Sequence, residues 1–113
     1  MKGTIAAVAV AGLLMPPAAL AQDKAVERGM QVFQQQKCTL CHSIAGKGNK
    51  KGALDEVGSK LSEAEIRQWI VDPEGMAAKA TPPPTRKPPM KKKEIGPADV
   101  NALVAYLATL RKK

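Results

Sequence analysis

The sequence predicts an all-α protein with three main helices joined by long loops. Three observations carry this. Apolar residues recur at helical spacing in three separate stretches. No alternating apolar–polar run is long enough for a strand. Glycine and proline gather between the three stretches rather than within them.

The first helix is expected over residues 24–35. Val26, Met30 and Phe33 fall at i, i+4 and i+7, with Asp23 as N-cap and Met30 read as a core side chain. Gly29 sits inside it, where glycine costs about 1 kcal/mol relative to alanine. That cost points to a close approach by another helix. The second helix reads "LSEAEIRQWIVDP". Ser62 and Glu65 form a capping-box pattern, Leu61 and Ile66 a hydrophobic staple. Ile66, Trp69 and Ile70 share a face, and Pro73 closes the helix by disfavouring helical geometry at Asp72. The third reads "GPADVNALVAYLATLRKK". Pro97 suits a first helical position. Val100, Leu103, Val104, Leu107 and Leu110 make one apolar stripe, and Arg111, Lys112 and Lys113 complement the negative helix end.

Residues 44–60 are rich in Gly and Lys and read as a loop, with a turn of helix near Leu54. Residues 74–95 read as a second loop, with five prolines between Pro82 and Pro89. Proline removes backbone donors and fixes φ, so this segment is extended and stiff. A connection of that length in a small domain calls for a function or an anchor.

The N-terminus has the organisation of a secretory signal peptide. Lys2 supplies a positive start, residues 5–15 an apolar run, and Ala19-Leu20-Ala21 a small-residue cleavage pattern. Cleavage before Gln22 would remove residues 1–21 and leave one small domain over 22–113. That run is too short to span a bilayer comfortably, so no membrane span is expected after cleavage. The expected location is the bacterial periplasm, which oxidises exposed dithiols. The full chain carries a formal net charge of +8 and only three aromatics, Phe33, Trp69 and Tyr106. A core so poor in large side chains invites a non-protein filling.

The chemistry concentrates in "KCTLCH", where Cys38, Cys41 and His42 are the only cysteines and the only histidine. Four readings compete. A redox dithiol ordinarily follows a strand and opens a helix, and neither flanks the motif here. Zinc needs a fourth ligand, and no further Cys or His exists. A Cys38–Cys41 disulfide closes too small a loop to stabilise much and leaves His42 without a role. C-x-x-C-H is the attachment signature of c-type haem: two thiols reach the porphyrin vinyl groups, and the next residue places an imidazole under the iron. Haem is the strongest of the four.

With one histidine in the chain, a thioether is the natural sixth ligand. Met90 ends the stiff "RKPPM" stretch and is the favoured candidate; Met76, or an open site, is the alternative. These residues bring the chain close to a known pattern: it resembles the class I (monohaem) c-type cytochromes, as a small bacterial periplasmic member. Gly29 and Phe33 match the family's glycine and aromatic on the first helix, and "LVAYL" with Tyr106 matches the C-terminal helix that crosses it. The spacing from Met90 to Tyr106 is like that from the family's axial methionine to its helix aromatic. The resemblance implies a small cytochrome c fold, three main helices plus loops wrapped around one covalently bound haem, with Cys38 and Cys41 as tethers and His42 and Met90 on the iron. Trp69 resembles the family's tryptophan near a haem propionate; read from its helix alone it is a core aromatic. The family's Gly-Pro-x-Leu segment, whose proline carbonyl accepts the proximal histidine's N–H, is replaced by Gly52-Ala53-Leu54. The Ala53 carbonyl is expected to take over that bond.

The functional expectation is an electron carrier rather than an enzyme, because two axial side chains leave no coordination position for substrate. The alternatives are a haem subunit of a periplasmic dehydrogenase or oxidase complex, and an open-site haem protein. Arg86, Lys87, Lys91, Lys92 and Lys93 flank the proposed ligand and would steer docking to an acidic redox partner; the plainer alternative is solubilising charge. Nucleic acid is not an expected partner, since basic residues are not interleaved with aromatics. The chain is expected to work as a monomer or as a complex subunit.

Overall fold

The structure, a computed structural model, describes Gly3 and residues 17–113. The apolar run of the expected signal peptide lies outside the described residues. The first helix, α1 (Pro17–Gln35), starts ahead of the expected residue 24. Pro17 is suited to a first helical position, and Ala18, Ala19, Leu20, Ala21 and Gln22 are good helix formers that carry the helix through Asp23. Asp23 is therefore inside α1 and does not cap it.

Among the described residues the other long helix, α5, runs over Pro97–Ala108 and crosses α1 at Gly29. A Cβ on Gly29 would run into the Ala102 carbonyl and would stand 2.5 Å from the Tyr106 Cβ. Only a residue without a side chain permits this approach. The crossing also sets which face of α1 is buried: Gly29, Val32 and Phe33. Met30 lies one position round from Gly29 and is 49% exposed, so it sits at the rim and not in the core. Phe33 meets Tyr106 edge to face, with ring centroids 6.2 Å apart. At the surface, Arg28 donates to both Asp99 carboxylate oxygens, at 2.9 Å and 3.0 Å.

After α1 the chain turns at Lys37 in the left-handed region (φ 57°) into a single 3-10 turn, Cys38–Leu40. A two-residue antiparallel pair follows, β1 (Ser43–Ile44) with β2 (Lys47–Gly48), then a second 3-10 turn, Lys50–Gly52. These short pieces occupy what the sequence reads as plain loop. The expected turn of helix near Leu54 comes slightly later, as α2 (Val57–Lys60). It ties down the C-terminal tail: Gly58 N donates to Leu110 O at 2.7 Å, and Lys112 N to Ser59 Oγ at 2.7 Å.

Helix α3 (Glu63–Val71) has both capping-box bonds, Glu65 N to Ser62 Oγ at 3.2 Å and Ser62 N to Glu65 Oε1 at 3.0 Å. Pro73 ends α3 as expected but also opens α4 (Pro73–Lys79), which the sequence reading takes as loop. Asp72 caps α4 by accepting from Gly75 N, with Pro73 in the first turn and alanines behind. From residue 80 to 96 there is neither helix nor strand, as the prolines require. The core joins Val32 and Phe33 of α1, Ile66 and Ile70 of α3, and Val100, Leu103, Val104 and Leu107 of α5. Because α5 ends at Ala108, with Thr109 Oγ1 donating to Tyr106 O, Arg111, Lys112 and Lys113 follow the helix rather than filling its last turn. Among the described residues, no helix is long and apolar enough to cross a membrane.

Two tests follow from this frame. Gly29→Ala forces a Cβ against backbone and should cost about 1–3 kcal/mol, the usual range for overpacking, read by denaturant unfolding of the loaded protein. Its hydrogen bonds from Arg28 hold the Asp99 carboxyl below the ordinary carboxylate range. That contribution is complete above the unfolded-state pKa of about 3.9 and is lost as pH falls through the lower folded value. Asp99→Asn should therefore flatten the acid limb of stability against pH.

Candidate haem-attachment site

The motif is built on the 3-10 turn that ends α1. The Cys38 carbonyl accepts from Cys41 N at 3.1 Å and from His42 N at 2.9 Å, which winds all three motif residues into one tight turn. Asn49 clamps it from outside. Its N–H lies 3.0 Å from Thr39 O and 3.1 Å from His42 O, and its Nδ2 donates to Leu40 O at 3.1 Å. Nothing local in the sequence marks Asn49 for this role, because the contacts form only when the β1–β2 hairpin folds back.

Cys38 is half-buried against the core and Cys41 is exposed, and both thiols are free. Burial pushes the Cys38 thiol up, and the nearby Lys93 cation partly opposes this. His42 is half-buried, with Nδ1 3.0 Å from the Gly52 carbonyl. A carbonyl only accepts, so the bonded Nδ1 carries the proton and Nε2 keeps its lone pair. Burial lowers the His42 pKa, the Gly52 bond works against that, and the Arg86 cation lowers it further. A neutral imidazole with a free Nε2 is the form that ligates a metal.

The carbonyl that orients His42 belongs to Gly52, not Ala53. The 3-10 turn ends at Gly52, and Ala53 is extended (φ −61°, ψ 131°), exposed, and bridged to Ser43. Leu54 N completes that link by donating to Ser43 O at 2.8 Å. Gly52 must lack a side chain: the place its Cβ would take is 2.9 Å from His42 Nδ1 and already holds the Cys41 carbonyl oxygen and Arg86 Nη1.

Trp69 is half-buried on α3, outside the cluster formed by its neighbours Ile66 and Ile70, and makes no hydrogen bond among the described residues. Met76 is half-buried within α4. Met90 is 43% exposed. Its segment meets the motif through Arg86, whose Nη1 lies beside Gly52 and the Cys41 carbonyl. Among the described residues, no three Cys, His, Asp or Glu side chains converge to hold a metal ion by themselves.

Two free thiols three residues apart, followed at once by an imidazole with an open Nε2, are the donor set that a covalently attached iron porphyrin takes. The family model described as Cytochrome c matches residues 26–111. The chain belongs to the cytochrome c family. Comparisons with curated proteins and with solved structures give no significant match. The family binds covalent haem c with iron, and this is the cytochrome's cofactor. Domains of this family are in general electron carriers.

Cys38→Ser and Cys41→Ser should each leave one thioether tether, and the double variant none, so its denatured mass should be that of the polypeptide alone. Gly52→Ala should lower the fraction of chain recovered with haem, read as the haem-to-protein absorbance ratio.

Proposed function

We propose that the cytochrome is a periplasmic one-electron carrier, exported by a signal peptide over residues 1–21, with His42 and Met90 as axial ligands. The observation that carries the axial pair is the placement of the segment bearing Met90. It has no regular structure of its own, yet Arg86, shortly before Met90, seats its Nη1 beside Gly52 and the Cys41 carbonyl. A large apolar side chain 43% exposed on a segment anchored at Gly52 by Arg86 suits a thioether ligand.

Bound haem supplies a reversible one-electron iron couple. Cys38 and Cys41 fix the porphyrin edge. His42, held by Gly52, presents Nε2 in fixed orientation. Met90 would supply the second side-chain ligand and leave no exchangeable site for substrate; this supports a carrier over an enzyme. Trp69, a half-buried aromatic unclaimed by the core, suits contact with the cofactor's edge. Lys87, Lys91, Lys92 and Lys93 are all exposed on the same segment and form a basic rim that would draw an acidic redox partner.

Met90→Ala should abolish the red charge-transfer band of thioether-to-ferric ligation, while Met76→Ala leaves it intact. Loss of the band in Met76→Ala would transfer the assignment to Met76. For docking, the bimolecular electron-transfer rate with an acidic partner should fall about tenfold or more between about 0.01 M and about 0.15 M ionic strength. A rate independent of salt would remove steering.

A further inference from the structure

Between Thr81 and Glu94 every residue is exposed except Arg86. Its cationic neighbours Lys87, Lys91, Lys92 and Lys93 all face solvent. Arg86 instead tucks its guanidinium into the angle between two turns. The place a Cβ would fill on Gly52 is bounded by Arg86 Nη1, by the Cys41 carbonyl oxygen, and by His42 Nδ1 at 2.9 Å. No carboxylate among the described residues forms a salt bridge with Arg86; the ion pair seen is Arg28 with Asp99. A guanidinium is less strongly hydrated than an ammonium, so it tolerates this half-buried place better than lysine.

We propose that Arg86 is a positioning residue for His42: seated at Gly52, it pins the methionine-bearing segment to the proximal turn and holds a fixed positive charge beside the iron-ligating imidazole. The inference rests on His42 being an iron ligand. When a reduced partner gives one electron to ferric iron, no bond breaks and the site's positive charge falls by one. A permanent cation nearby opposes the more positive ferric form more than the ferrous form. Exposed lysines on the same segment are screened by water and salt and exert far less of this effect.

The test is a spectroscopic redox titration of the loaded protein and three variants, each checked for helix content by circular dichroism. Arg86→Gln should shift the ferric–ferrous equilibrium about three- to tenfold toward ferric, a potential lower by about 28–59 mV at 59 mV per tenfold. Arg86→Lys should recover at least half of that shift. Lys87→Gln, which removes an exposed charge next door, should shift the equilibrium less than twofold. The proposal is overturned if Arg86→Gln leaves the potential unchanged, if Lys87→Gln moves it equally far, or if Arg86→Lys falls as far as Arg86→Gln. Failure of the underlying reading looks different: wild-type protein would lack the spectrum of a nitrogen-ligated, low-spin iron, whatever the variants do.

Discussion

Gly29 and the Ala102 carbonyl of α5 come together so closely that no side chain fits between them. This contact fixes the angle and depth at which the two longest helices meet. It decides that Val32 and Phe33 face inward and Met30 does not. The motif turn begins at Lys37, about two helical turns after the crossing, so the position of Cys38 against the core depends on that crossing.

So close a crossing leaves a core of Val, Ile and Leu with one buried aromatic, Phe33. Leu40 within the motif is 69% exposed, Met90 is 43% exposed, and Trp69 stands outside the core cluster. Among the described residues, none of the three packs into the core cluster. A covalently held porphyrin supplies apolar area that such side chains otherwise lack. Cofactor and fold are then one problem: the Cys38–His42 turn locates the haem, and the haem completes the packing. Small domains often need this kind of staple.

Much of this was legible in the sequence where one physical rule acted alone. The α5 stripe and the α3 capping box are local patterns, and the structure matches both. Gly29 declared itself because glycine inside a helix has a cost that only packing offsets. Where two signals overlap, one hides the other. Asp72–Pro73 ends one helix and starts another, and the prolines downstream masked the second function. The displacement from Ala53 to Gly52 is of another kind. The family's segment is Gly-Pro-x-Leu, so counting back two places from Leu54 puts the carbonyl on Gly52; aligning on the glycine put it one residue late. Asn49 and Arg86 leave no local trace, since their contacts depend on a hairpin and a long loop folding back onto the motif.

The claim that haem completes the core is tested most directly by the chain without it. Circular dichroism and urea unfolding of the Cys38→Ala/Cys41→Ala chain, prepared free of haem, should show little helix and no cooperative transition. A helical chain that unfolds cooperatively with the stability of the loaded protein would contradict it.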